Sequence, residues 1–300
     1  MRVNRVLFLF LISFLLFSQC GAISYGDDSS RSKPESLLDK YHEIKKELEK
    51  NSSPVSFYVE SSVNKNASRV DIYGTIKYSF DIVKKELLIP TNWCQIVLSH
   101  PDVRACTYER VNDSWLLNIY HTDKFSEPLE DAYQMKFVYL VSALQPLYFD
   151  VALTAHEGPF HTKDHQFGFE AIPLEGNITF IHLRYSFRYS ALGYFFMKIF
   201  GGTKIGFSVI GTDSDGNPVY AEGLRGLVER DVVCYCLATL AYFDAREAPS
   251  DQQFERRISQ WYDLTVPFKK QFYDMTKEEY LTYKSKDWES QQRLQADLNK

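Results

Sequence analysis

The chain has 300 residues, a formal net charge of −5 at neutral pH, 45% hydrophobic residues and 15% aromatic ones, with 22 Phe and 20 Tyr. No basic tract accompanies the acidic balance, which excludes nucleic acid as a partner. The length suits about two domains or one enlarged one, and the aromatic excess favours a strand-rich fold with a large apolar interior.

Arg2 and Arg5 precede an apolar run from Val6 to Phe17 that is shorter than a membrane span, the pattern of a signal peptide over residues 1–20. Cys20 follows in Phe17-Ser18-Gln19-Cys20-Gly21, which looks like a bacterial lipoprotein site, although Gln19 stands where a small residue is usual. Lipidation of Cys20, ordinary cleavage and an uncleaved anchor all remain open. Each implies export, to the periplasm or to a membrane facing it. Four Asn-x-Ser/Thr sequons, at Asn51, Asn66, Asn112 and Asn177, matter only in a glycosylating host.

Residues 21–54 read as a polar tether and a surface helix, the latter carrying Leu37, Leu38, Tyr41, Ile44 and Leu48 at helical spacing. Strand character begins near 54–60 and is clear over 69–80, where Val70, Ile72, Ile76, Tyr78 and Phe80 alternate with polar residues. Two short helices follow, parted by Pro90 and ended by Pro101. Strands are then expected near 103–110, 114–121, 134–144, 147–155, 166–172 and 177–190. After them come a helix at 191–200, a strand at 204–212, a dense turn at 213–218 and a long helix from Gly223 to Phe243. That helix is apolar on nearly every side, so it demands cover on nearly every side. The strands before it are the expected cover. Residues 250–295 read as two charged helices with capping boxes at Ser250-x-x-Gln253 and Thr276-x-x-Glu279.

In an oxidising compartment Cys94 and Cys106, flanking a helix-to-strand junction, are the disulfide candidates. Cys234 and Cys236, two apart on one helix, point to different sides and read as buried small hydrophobes.

This order of elements resembles the helix-grip fold of the START-like (SRPBCC) superfamily. More narrowly, it resembles an uncharacterised group of exported bacterial START-like proteins. The phrases that carry the resemblance are Trp93-Cys94, Gly158-Pro159-Phe160, Gly206-Phe207, Arg225-Gly226-x-x-Glu229-Arg230 and Trp261-Tyr262-Asp263-Leu264-Thr265. It implies an α+β fold, a curved antiparallel sheet wrapped around a long C-terminal helix, with extra helices at both ends. The domain would cover residues 55–246, with a helical extension at 247–300. The chain departs from the pattern by the insertion at 191–212 and by its tail. The superfamily implies an internal cavity for a lipid or other hydrophobic molecule.

Polar candidates for such a site are Arg225, Glu229 and Arg230 at the start of the long helix, and Arg184 and Arg188 on the 177–190 strand. Each has a bland alternative: a structural clamp at the helix start, and an ordinary solvent face bearing His182, Arg184 and Arg188. Tyr185, Phe207 and Tyr235 are candidate lining. His156, His161 and His165 have the donor types for zinc but sit around a hairpin loop without a helical zinc spacing, so no metal is expected. No phosphate loop, nucleophile elbow or cysteine nucleophile motif is present, so no catalytic residue is assigned and no cofactor is expected. The leading expectation is a non-enzymatic cell-envelope protein that binds or carries a lipid or hydrophobic small molecule, anchored to the membrane through its N-terminus if Cys20 is acylated. An enzyme acting on a hydrophobic substrate in the same cavity, or a scaffold with a filled interior, are the alternatives.

Overall fold

The computed structural model describes residues 32–50, 55–122, 128–201, 204–272 and 275–300. The leader, Cys20, the tether up to residue 31 and the Asn51 sequon lie outside the described residues. Lys33–Lys300 forms one compact unit. No described helix is long and apolar enough to cross a membrane.

The fold is α+β. Strands β1 (Phe57–Val63), β2 (Ala67–Ile76), β3 (Val103–Val111), β4 (Ser114–His121), β5 (Tyr133–Gln145), β6 (Tyr148–Gly158), β7 (Thr162–Leu174) and β8 (Ile178–Tyr189) form one antiparallel sheet. Its order is β1-β2-β8-β7-β6-β5-β4-β3. Six consecutive strands from β3 to β8 form a meander, and β8 closes against β2, Ile72 opposite Leu183. Helices α2 (Phe80–Leu87) and α3 (Pro90–Val97) link β2 to β3. The disulfide Cys94–Cys106 joins α3 to β3.

Period-2 alternation divides the sheet's two faces. Val70, Ile72, Leu117, Phe137, Phe167, Phe169, Ile181 and Leu183 face the main core, which they share with the long helix α5 (Gly223–Ala245). The curved sheet thus grips α5, whose buried residues extend all round it, from Leu224 to Ala245. The second face is also covered, by α1 (Lys33–Lys50), whose Leu37, Ile44 and Leu48 pack against Tyr148, Ile172 and Phe180. The surface stripe read from the sequence in α1 is therefore a packing stripe.

Helix α4 (Ala191–Gly201) leads into β9 (Ile205–Thr212), which pairs with a short strand β10 (Pro218–Glu222) in a separate two-stranded sheet. The sequence reading placed only a turn at 213–218 and missed β10.

Helices α6 (Gln253–Thr265), α7 (Lys269–Phe272) and α8 (Lys277–Leu298) follow. Thr276 caps α8 with a full capping box. Ser250 does not cap α6, which starts after Gln252 without a side-chain cap. Trp261 of α6 donates to the Cys234 carbonyl of α5 at 3.1 Å. Helix α8 lies along β3, the far edge strand. There the Gln291 side chain accepts the Cys106 N–H at 2.7 Å, and Gln295 bonds both the N–H and the carbonyl of Tyr108, at 2.8 and 3.0 Å. Lys284 donates to the Val103 carbonyl at 2.5 Å. Side chains of a helix thus occupy the backbone groups that a ninth strand would take.

Candidate functional site: the recess between the long helix and the sheet

The start of α5 is a clamp. Glu229 is 0% exposed. Its carboxylate accepts the backbone N–H of Phe207 and Ser208 at 2.7 and 2.8 Å, the Ser61 hydroxyl, and Arg225 Nε at 3.2 Å. It ties β9 to α5 and β1. The approach requires glycine on both elements: a β-carbon at Gly206 would stand 2.4 Å from the Glu229 carboxylate, and one at Gly226 would stand 2.2 Å from the Lys204 carbonyl. The clamp alternative therefore describes Glu229 and Arg225, and Arg225 also lines an open groove of about 940 Å³ outside the grip, beside β1. Arg230 lies over the Phe272 ring. Phe207 packs with Phe57, Phe268 and Phe272 on that same outer flank, not on the recess.

Arg184 and His182 are on the face under α1, away from α5. Arg184 donates to Asp150 at 2.7 Å and lies 3.7 Å from Glu170. His182 bridges two carboxylates, Asp71 at 2.8 Å and Glu170 at 2.7 Å. Burial opposes each charge there, but the mutual bonds prevail: His182 is raised, Asp71 is lowered to about 2, and Glu170 is lowered. The expected solvent face is thus a buried ionic network at His182 and Arg184. Only Arg188 is exposed, 3.8 Å from Asp164.

The three histidines do not converge. His156 and His161 are exposed, while His165 is buried, with Nδ1 2.7 Å from the Tyr185 hydroxyl and Nε2 2.9 Å from Thr162 Oγ1. Gly158 makes room for its ring, since a β-carbon there would meet Nε2 at 2.2 Å.

His165 and Tyr185 belong to a second group, inside the grip. Asp231 and Tyr235, one turn apart on α5, meet His100 and Asp102 from the α3–β3 junction and His121 from the end of β4. His100 Nε2 is 3.0 Å from Asp231 Oδ1. Its ring stacks on Tyr235 with centroids 4.4 Å apart, and the Tyr235 hydroxyl is 3.5 Å from His121 Nε2. Phe167 lies edge-on to Tyr235 at 5.8 Å.

Asp231, Asp102, His121 and Tyr185 are surrounded by protein on all sides. Yet all four keep accessible surface, 34% of the side chain for Asp231. Both statements hold together when these groups face a recess that enters the fold.

Burial sets the protonation of most of them. It lowers His121 and His165 to about 4, so both imidazoles are neutral. It raises Tyr185, Tyr235, Asp102 and the Cys234 thiol. Burial opposes the charge of Asp231 too, but His100 beside it holds it below the usual carboxylate value. For His100, burial disfavours a charged ring while Cys234 and Asp231 favour it and pull its pKa up. The sulfur's share needs a thiolate, which the burial of Cys234 disfavours. His100 Nδ1 accepts the Asp102 N–H at 3.1 Å, which leaves no place for a second proton. Its Nε2 stands 3.0 Å from Asp231 Oδ1 but is not aligned to hydrogen-bond it.

His100, Asp102 and Asp231 bring three donor atoms within 4.8 Å of one another, close enough for a metal. The same Asp102 bond argues against one, because a neutral ring that accepts at Nδ1 has no lone pair on Nε2. The group can accept and donate hydrogen bonds to a polar end of a guest whose remainder lies among aromatic rings.

Of the residues singled out from the sequence, Tyr185, Tyr235 and His165 enter this group. His100, Asp102, His121 and Asp231 were missed. The one available signal was Asp231, an acid set immediately before the long apolar run of α5.

No family model matches the chain, and no curated protein matches it. Among solved structures, the Zhui aromatase/cyclase from Streptomyces sp. R1128 is similar at 10% identity, over 65% of this chain and 94% of that one, with a TM-score of 0.34. The lipid transfer and protein localization domain of human StarD13 is similar at 11% identity, over 53% and 88%, with a TM-score of 0.32. Truncated norcoclaurine synthase from Thalictrum flavum is similar at 8% identity, over 48% and 86%, with a TM-score of 0.34. At scores this low, the helix-grip description rests on the strand order and on the place of α5.

Proposed function

We propose that the recess between α5 and the sheet binds a hydrophobic small molecule or lipid, in an exported START-like protein. The observation that carries the reading is Asp231, enclosed by protein and still accessible, at the edge of an aromatic interior. A binding site of this kind combines an apolar wall with a few convergent polar groups. Burial of ligand hydrocarbon, about 0.8 kcal/mol per methylene, drives association, and the polar group orients it. The apolar leader with Arg2, Arg5 and Cys20 supports export, and so does the disulfide, which persists in oxidising compartments. An acylated Cys20 would hold the domain at a membrane.

Organic extraction and mass spectrometry of the purified full-length chain tests the reading, alongside titration with an uncharged fluorescent hydrophobic probe such as N-phenyl-1-naphthylamine. A stoichiometric extracted molecule, or saturable probe binding weakened by Tyr185→Trp inside the recess, supports it. No extractable molecule and no saturable binding would refute it.

A second reading is an enzyme using the same recess. It is favoured by the His100–Asp231 pair, whose Nε2 and Oδ1 stand 3.0 Å apart. It predicts that Asp231→Asn retains ligand and loses turnover.

A further inference from the structure

The two edges of the large sheet are treated differently. Side chains of α8 occupy outer backbone groups of β3. At the opposite edge β1 pairs only with β2, and no described residue bonds its outer amides and carbonyls. Those groups open along the groove of about 940 Å³ that Arg225 also lines. Successive side chains of β1 fall on alternate sides of the sheet. Phe57 and Val59 pack on the main core and Ser61 bonds Glu229, whereas Tyr58 and Glu60 lie on the side of α1. Phe57, Phe207 and Phe268 make an aromatic floor, with ring centroids 5.4 to 5.5 Å apart. The turn Val266–Phe268 and Lys269, Lys270 and Gln271 of α7 form the far wall.

The charged side chains that line the groove are Glu47, Glu60, Arg225, Lys269 and Lys270. Both acids are already answered: Lys50 donates to Glu47 and Lys40 to Glu60, each at 2.7 Å. Arg225 uses Nε on Ser61 and Glu229, at 2.7 and 3.2 Å. Its two terminal nitrogens, and the exposed Lys269 and Lys270, have no acceptor among the described residues. The groove thus carries a positive surplus on a chain of net charge −5. Three features coincide in it: an unpaired strand edge, an aromatic floor and unanswered cations. A hydrocarbon chain would cover the floor but would take the β1 amides and carbonyls out of water without partners, which is costly. Two copies of this chain paired edge to edge would supply backbone partners but bring two positive grooves together.

We propose that β1 accepts an extended acidic peptide segment of another protein as an added strand, in the groove between β1 and the Val266–Phe268 turn. The peptide backbone would lie about 4.8 Å from β1 and bond its outer amides and carbonyls. Alternate side chains of the peptide would rest on Phe57, Phe207 and Phe268. A carboxylate among them would meet the free nitrogens of Arg225, with Lys269 and Lys270 adding attraction from the wall. The site lies outside the grip of the sheet on α5, so it does not depend on the recess binding a guest.

The experiment selects heptapeptides from a random phage-displayed library on the immobilised full-length chain, then titrates the most enriched one, synthesised with a fluorescent label, by anisotropy. Enriched sequences should alternate apolar residues, carry Asp or Glu and lack proline. N-methylation of alternate residues along one edge of the peptide should abolish binding, and along the other edge should leave it unchanged, because a strand bonds its neighbour through one edge only. Lys269→Gln/Lys270→Gln changes exposed side chains and should weaken binding about fivefold, the scale of two surface ion pairs. With peptide bound, the outward amides of residues 57–61 should exchange hydrogen at least about tenfold more slowly. No enrichment, binding indifferent to N-methylation on both edges, or unchanged exchange at residues 57–61 would overturn the proposal. Saturable binding of dodecanoate that the two lysine substitutions abolish, with no peptide enriched, would overturn it in favour of an anionic amphiphile. Dimers in analytical ultracentrifugation whose formation slows exchange at residues 57–61 would overturn it in favour of a second copy.

Discussion

Gly226 of α5 faces Gly206 of β9 so closely that a β-carbon on Gly226 would come within 2.9 Å of the Gly206 amide nitrogen and 2.2 Å of the Lys204 carbonyl oxygen. Two of the phrases that suggested the family, Gly206-Phe207 and Arg225-Gly226-x-x-Glu229, are thus two sides of one contact. The glycines bring a strand edge onto a helix, and Glu229 then fastens the strand's Phe207 and Ser208 amides.

The first prediction concerns this clamp. Gly226→Ala meets backbone atoms, which cannot rotate away, and should cost about 3 kcal/mol of stability. Glu229→Ala strands two inward amides and the Ser61 hydroxyl and should cost about 3 kcal/mol, whereas Glu229→Gln keeps an acceptor and should cost less. Urea unfolding monitored by circular dichroism checks all three. A neutral Glu229→Ala would show that the carboxylate is free for a ligand rather than committed to the fold.

The second prediction concerns pH. His182 bonds Asp71 through one nitrogen and Glu170 through the other, so both nitrogens donate and the ring is charged. Its pKa is raised in the folded state. Its stabilisation is then complete below the unfolded value of about 6.5 and is lost as pH rises through the higher folded value. Asp71 behaves oppositely. Its folded value of about 2 means that its contribution is complete above the ordinary carboxylate range and is lost as pH falls towards 2. The urea midpoint should therefore be highest between about pH 4.5 and 6.5 as far as this network is concerned. His182→Gln should flatten the alkaline side and lower stability by about 3 kcal/mol at pH 6, the scale for removing one member of a buried ionic group. Identical pH profiles for the variant and the wild type would sink the assignment.

Much of the fold could be read before the structure, and the reasons are local. Ile181, Leu183, Tyr185 and Phe187 alternate with polar residues, and alternation of that quality defines a strand wherever it lies. The apolar circumference of α5 likewise implied that something encloses it. Strand β10 escaped because it is five residues long and adjoins the turn residues Asp213–Asn217. The state of His182 and Arg184 escaped because alternation reports which residues share a face, not what covers that face; α1 covers it from more than a hundred residues away. The recess escaped for the same reason. His100, His121 and Asp231 come from three elements and meet only when the sheet curls round the helix.

The third prediction concerns the disulfide. Cys94 and Cys106 close a loop with a sequence separation of 12, pinning α3 to β3 beside His100. A loop of that size constrains the unfolded chain by about 2–3 kcal/mol. The double variant Cys94→Ala/Cys106→Ala should lose that much in urea unfolding. Reductant should lower wild-type stability by a similar amount and leave the variant unchanged. A wild type indifferent to reductant under partly unfolding conditions would contradict the bridge.

The fourth prediction concerns the edge of the sheet. Strand β3 pairs only with β4, so its outer backbone groups would present a template for other chains. Helix α8 prevents this with side chains: Gln291 and Gln295, four residues apart on one helix face, bond the Cys106 amide and both backbone groups of Tyr108. Replacing both by alanine removes three hydrogen bonds and leaves the buried Cys106 N–H unsatisfied, a loss of about 3 kcal/mol. Leucine at the same positions would keep helix propensity and apolar contact while still denying β3 its partners. Both double variants should therefore form higher oligomers in light scattering as concentration rises, with the onset steeper than their loss of stability alone explains. A control of equal instability elsewhere, such as Gly226→Ala, separates the two effects. If that control self-associates as readily as the glutamine variants, general unfolding drives association; if it stays monomeric while they do not, the exposed β3 edge is the cause.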